Sequence, residues 1–295
     1  MTGLTATHKR ELAEILSLPA RYHELKPALL AYMSQTRYKI LSSFERAMEA
    51  EHLLNRLDLS SQIGRTTPLY SSTAPATWNP YQVAQALFPG GYFCNLTSVY
   101  HHGLTDQVPS NIYVGVEATR SKDQMRGGKV LLSDHAIFRA FAIPHRISKH
   151  TYRFRGHEIT ITEQVSRKGA GVETVQDSGR PCPRGARVTC LERVLIEAVV
   201  HPQYNGGLST VIEILRAGIP QANQRRFLDL YDKLAYVYPY WQAIGFLCER
   251  IGFTTMANAI SRRFTFKNKF YLDHFAKTSW EFDRAWQIHY PKGII

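Results

Sequence analysis

The stretch Arg187–Gly207, RVTCLERVLIEAVVHPQYNGG, carries a whole helix with its start and stop signals. Thr189 and Glu192 stand at capping-box spacing, where each side chain can satisfy an orphan backbone N–H at a helix start. Leu191, Val194, Leu195, Ala198 and Val199 recur at i, i+3, i+4, i+7 and i+8, which predicts one buried face. His201-Pro202 ends the helix, because proline lacks an N–H and turns the residue before it away from helical geometry. Asn205-Gly206-Gly207 then supplies the positive φ angles of a tight turn.

Downstream the chain stays mainly helical. Leu208, Val211, Ile212 and Leu215 form one stripe, and Phe227, Leu230, Tyr231 and Leu234 the next. Trp241, Ile244, Cys248 and Ile251 form a third, with Pro239 tolerated in its first turn. A β-like tail is predicted at Phe264–Phe266, Phe270–Leu272 and Trp286–Tyr290. Upstream the period changes to two, predicting strands at Asn111–Val116, Lys129–Leu132, Ile137–Ile143, Val172–Gln176 and Ala186–Cys190. Tyr152–Phe154 and Glu158–Thr162 flank Arg155-Gly156-His157 as a hairpin. Helices are expected at Tyr81–Phe88 and from Asn95, as N-cap, to Gly103.

The first 75 residues hold three amphipathic segments. These are Glu11–Leu18, a stripe of Leu25, Leu29, Leu30 and Met33, and Ser42–Leu57 with Phe44, Met48, His52 and Leu53 on one face. The turn-rich segment Ile63–Tyr70 follows as a candidate wing, and Ser71–Pro80 (SSTAPATWNP) has linker composition. The expected class is α+β. Residues 1–75 form a helical domain whose candidate form is a winged helix-turn-helix. Residues 76–295 form a larger α+β domain, β-rich in the middle and helical towards the C-terminus.

At 295 residues, 44% apolar and 20% charged, the composition is that of an ordinary globular protein with room for two domains. No apolar run approaches the ~18–20 residues of a membrane span, and the N-terminal MTGLTATHKREL has no apolar signal segment, so a cytoplasmic location is expected. The net charge of +12 favours an anionic partner, nucleic acid first. Residues 1–75 have nine Lys/Arg against seven acids, whereas Thr119–Arg193 has fifteen against seven. Cys94, Cys182, Cys190 and Cys248 form no CxxC pair or zinc-spaced cluster; reduced, buried thiols and no metal or cofactor are expected.

His101, His102 and Asp106 are the nearest approach to an acid–base set, but adjacent histidines near a helix end diverge by about 100°, and a helix C-terminus favours histidine without catalysis. The diglycines at Gly90, Gly127 and Gly206 lack a phosphate-loop context. There is no GxSxG elbow, no PD…(D/E)xK spacing and no Gly-Ser…Asp-x-Asp arrangement. A non-enzymatic role is expected. Arg262, Arg263, Lys267 and Lys269 alternate with Phe264, Phe266 and Phe270, the pattern of a strand with an apolar face and a basic one. The aromatics of Tyr236–Trp241 read as core packing.

Three blocks, RVTCLERVLIEAVVHPQYNGG, GLTDQVPSNIYV at Gly103–Val114 and YVYPYWQAIGFLCERIGF at Tyr236–Phe253, resemble the AbiEi-type antitoxins, in the same order. The resemblance covers roughly residues 80–295. It implies the antitoxin of a bacterial type IV toxin–antitoxin pair used in phage defence by abortive infection. Such a protein opposes a cognate nucleotidyltransferase-like toxin and, as a transcriptional regulator, represses its own operon by binding operator DNA at an inverted repeat.

In residues 1–75 the candidate DNA contacts are Arg37 and Lys39 ahead of the third helix, Ser42, Ser43 and Arg46 in its first turns, and Arg65 in the wing. N-terminal residues of a recognition helix are those that reach base edges. Arg153, Arg155, Arg167 and Lys168 form a candidate basic surface for phosphate or for a partner. Two alternatives stand beside this reading: direct neutralisation of the toxin through that basic surface, without DNA binding, and an enzyme that reverses the toxin's modification. The oligomeric state is open.

Overall fold

Residues 4–118, 132–177, 181–274 and 280–295 are described in this computed structural model. The chain opens with α1 (Ala6–Ile15), α2 (Tyr22–Met33) and α3 (Leu41–Ala50). They enclose Leu12, Leu16, Leu25, Leu29, Phe44 and Met48, the i, i+4 pairs of the three stripes. Ile15 and Leu30, expected inside, are about half exposed, because each stripe is narrower than its apolar content. An antiparallel hairpin of β1 (Asn55–Ser60) and β2 (Thr66–Ser71) follows.

The hairpin lies against a six-stranded mixed sheet. Its order is β5 (Thr151–Phe154), β6 (His157–Gln164), β4 (Asn111–Glu117), β3 (Tyr92–Phe93), β8 (Arg187–Thr189), β7 (Val172–Thr174). β4 runs parallel to β6 and β3 parallel to β8; the other neighbours are antiparallel. The β5–β6 hairpin turns through Arg155 and Gly156, both at positive φ. Alternation along β4 places Ile112 and Val114 on one face, under Leu59, Leu69, Trp78 and α4 (Pro80–Leu87). Tyr113 faces the other way, beside Tyr92, Cys94 and Tyr204.

Beyond that second face lies the helical part. α7 (Leu191–Val200) is its axis, touching α5 (Asn95–His101), α8 (Leu208–Gly218), α9 (Gln224–Leu234) and α10 (Tyr240–Arg250). α6 (Asp134–Phe141), α11 (Thr254–Arg263) and a small sheet of β9 (Phe270–Tyr271), β10 (Trp280–Asp283) and β11 (Ile288–Pro291) close the far side. No helix among the described residues is long and apolar enough to cross a membrane.

The mixed α and β content matches the expected class, and several local expectations need correction. Thr189 and Glu192 form no capping box: Thr189 ends a strand, Cys190 is the N-cap, and Glu192 Oε1 instead accepts the Asn223 N–H at 3.1 Å at the start of α9. α7 is buried all round rather than on one face, from Glu192 to Val200. Ile137–Ile143 is not a strand; Ser133 caps α6, and Ile137 and Phe141 are its buried i, i+4 pair.

Asn95 is not an N-cap either. Cys94 holds that position, and the Asn95 side chain accepts from Asn205 at 3.3 Å. Ser71–Pro80 is packed rather than a linker: Ser71 donates to the Leu16 carbonyl at 2.9 Å, and Trp78 is buried with its Nε1–H on the Thr73 carbonyl. Phe264–Phe266 is not a strand, and α11 lies unforeseen just before it. Pro239 is the N-cap of α10 rather than a residue of its first turn. Lys129–Leu132 lies, except for Leu132, outside the described residues.

Candidate nucleic-acid interface

Phe44 and Met48 turn one side of α3 wholly inward. The helical period then fixes the rest: Ser42, Ser43 and Arg46 stand on the opposite, exposed side, with Arg37 and Lys39 exposed in the turn from α2. Ile40 is the N-cap and supplies no side-chain capping bond to the first turn of α3. None of Arg37, Lys39 and Arg46 makes an ion pair among the described residues. Arg37 lies over the Tyr38 ring at 5.9 Å, and Tyr38 in turn tilts against Phe44, which ties the turn to the core.

The acids nearby are partly withdrawn. Glu45 accepts the Tyr22 hydroxyl, a bond that leads the causes raising that phenol to about 12. Glu51 pairs with Lys9 at 2.6 Å. The arrangement offers backbone dipoles, two hydroxyls and unpaired cations on one convex helix, which suits a phosphate-lined groove.

Arg65 sits in the turn between β1 and β2. That turn is tied to the central sheet: the Gln62 N–H donates to the Thr151 carbonyl at 2.9 Å and Ser61 bridges Tyr152. Arg65 is exposed there, and its charge adds to burial in lowering the pKa of His150.

The four residues of the expected basic surface fall into two separate places. Arg153 lies in β5 and Arg155 in the turn into β6, while Arg167 and Lys168 lie beyond the end of β6. Arg153 pairs with Glu158 at 3.1 Å, and Arg155 donates to the Trp78 carbonyl at 3.0 Å. The Arg167 guanidinium sits 5.9 Å over the Tyr236 ring, and Lys168 occupies a positive-φ turn position. Half of this set is therefore committed to holding turns in place. Arg120, Lys122, Arg126, Lys129 and Arg180, which contribute to the basic surplus, lie outside the described residues.

His101, His102 and Asp106 are not assembled. His102 Nε2 lies 2.7 Å from the Thr189 carbonyl, securing the join between β8 and α7, while Asp106 is exposed in the following turn. Among the described residues no group of three His, Cys, Asp or Glu is placed to hold a metal ion. The four cysteines are buried and free.

A cluster that pattern reading did not single out lies inside α7. Arg193 is 1% exposed; its Nε donates to Glu197 Oε1 at 2.7 Å, Nη1 to the Ala170 carbonyl at 2.7 Å and Nη2 to the Tyr92 hydroxyl at 2.6 Å. Glu117 stands 3.9 Å from Nη1 and accepts the backbone N–H groups of Arg167 and Gly169. Burial pushes the Glu197 carboxyl up, against the pull of Arg193. The cluster welds α7 to β3, to the end of β4 and to the Ser166–Ala170 loop, which is a structural task. The signal was available: Arg193 and Glu197 stand at i, i+4 in a segment otherwise too apolar to solvate them.

No family model and no curated protein matches the chain. The crystal structure of the RV2827C protein from Mycobacterium tuberculosis is similar in fold, with a TM-score of 0.55 at 11% identity over 96% of this chain and 89% of that one. At that identity the likeness is one of fold.

Proposed function

We propose that this chain is a non-enzymatic antitoxin of the AbiEi type that binds operator DNA through α3 and opposes a nucleotidyltransferase-like toxin in the cytoplasm. The observation that carries the DNA reading is the exposed start of α3, with Ser42 and Ser43 in its first turn, Arg46 in its second and Arg37 and Lys39 before it. The family reading rests on the three sequence blocks, two of which build the scaffold around α7 and α10. Lys39 and Arg46 contact phosphates in this reading, and Ser42 and Ser43 lie nearest the base edges. Arg65, exposed in the β1–β2 turn, is the candidate contact from the wing in this reading.

The test is fluorescence anisotropy with duplex DNA from upstream of the chain's own reading frame, between about 50 and 200 mM salt. The double variant Lys39→Ala/Arg46→Ala should bind more weakly with a shallower salt slope. Equal affinity and slope would overturn the assignment to α3. Protection is scored separately, by co-expression with an adjacent nucleotidyltransferase-like gene. Failure of the intact chain to protect would remove the antitoxin reading whatever the DNA result.

A further inference from the structure

Two aromatic-rich segments, Tyr236–Trp241 and Phe264–Phe270, meet at one open cleft of about 430 Å³. That volume lies in the ~300–1,000 Å³ range of small-molecule pockets. Tyr236 and Tyr238 reach it from the connection between α9 and α10, Trp241 from the first turn of α10, and Phe264 from the end of α11. Trp241 and Phe264 stack within 20° of parallel at 5.4 Å. Tyr236, Tyr238 and Phe264 are all partly exposed, so the cleft has ring surface left to cover.

Gln242, which also lines the cleft, is wholly buried. Its Nε2 donates to the backbone carbonyls of Asn268 at 3.1 Å and Trp286 at 2.9 Å, which fixes the amide's orientation. Oε1 is thereby left as a buried acceptor without a donor among the described residues. At the rim, Asp232 holds Arg263 at 2.6 Å, while Lys267 is exposed and in no ion pair among the described residues. The cleft thus offers aromatic faces and one uncommitted cation.

We propose that this cleft binds a nucleotide, its base against Tyr238 and Phe264 and its phosphate at Lys267. Every base has a flat face, so the chemistry selects the class rather than one base. The source is either a free nucleotide or one unit of a single strand. This site is separate from α3 and does not depend on the operator reading.

Isothermal titration of the full chain tests it with the four nucleoside monophosphates, a short single-stranded oligonucleotide and inorganic phosphate as probes. Monophosphates should bind with Kd below about 1 mM and phosphate alone should not. Lys267→Ala and Tyr238→Ala, with unchanged melting temperatures, should each weaken binding about tenfold. Lys39→Ala/Arg46→Ala should leave it intact. Binding of the single strand without the monophosphates assigns the site to nucleic acid, and comparable binding of both assigns it to free nucleotide. No binding of either, phosphate binding as tightly, or unchanged affinity in both cleft variants would overturn the proposal.

Discussion

α3 and α7 are each ten residues long, and each carries Glu-Arg followed by another Glu: Glu45, Arg46 and Glu49 in one, Glu192, Arg193 and Glu197 in the other. The outcomes are opposite. Arg46 is exposed without an ion pair, whereas Arg193 is 1% exposed and fully engaged. The surroundings decide which: α3 alternates its charges with two core residues, while α7 sets them among Val, Leu and Ile on every side. Charge on the first helix is available to a partner, and charge on the second is used up in holding the fold.

Four measurements test that contrast, from the largest effect down. Arg193→Met leaves Glu197 and Glu117 without their counter-charge and should cost about 3–5 kcal/mol in urea denaturation, with DNA affinity per folded molecule unchanged. A loss under about 1 kcal/mol would mean the buried pair holds nothing together.

His201, at the end of α7, comes next. Its pKa is pushed down to about 4, chiefly by burial and further by His145 and Arg193. The folded protein keeps this ring neutral, while the unfolded chain protonates it below about 6.5. The resulting stability is complete above that pH and is lost as pH falls towards 4, on the order of 2 kcal/mol after allowance for partial exposure. Denaturation midpoints at pH 7 and 4.5 should fall less in His201→Gln than in the parent; parallel declines would remove His201 as the cause.

Lys39→Ala/Arg46→Ala should lower DNA affinity by about tenfold and the salt slope by about two, with no shift in urea midpoint. A shifted midpoint would mean the α3 face is structural after all. Last, Arg153→Ala breaks an exposed pair with Glu158 and should change stability by less than about 0.5 kcal/mol.

Long-period features were legible in the sequence: the span of α7, its stop at His201-Pro202, the stripes of α8, α9 and α10, and the hairpins flanking Ile63–Arg65 and Arg155-Gly156. Where reading failed, a tertiary partner had taken over a local signal. Glu192 fits a capping box, but the start of α9 lies closer in space. Ile137–Phe141 alternates well enough to pass for a strand until Ser133 caps it. α11 has little apolar content in TTMANAISRR, with only Met256, Ala257 and Ile260 buried, so its pattern was drowned by the aromatics after it. The exposure of Ser42, Ser43 and Arg46 was legible because it follows directly from the positions of Phe44 and Met48. The ties of the β1–β2 turn to Thr151, of Arg155 to Trp78 and of Arg167 to Tyr236 were not legible, because those partners are distant in sequence.

The tie between the β1–β2 turn and β5 has a consequence for anyone dissecting the chain. Leu59 and Leu69 cover one face of the sheet while Ser61 and Gln62 occupy the outer edge of β5. A fragment beginning at residue 76 would bare that apolar face and a row of unpaired edge groups together, the two ingredients of strand-to-strand aggregation. The N-terminal segment acts as a stopper for the sheet as well as a candidate reading head, so the two tasks cannot be parted by cutting.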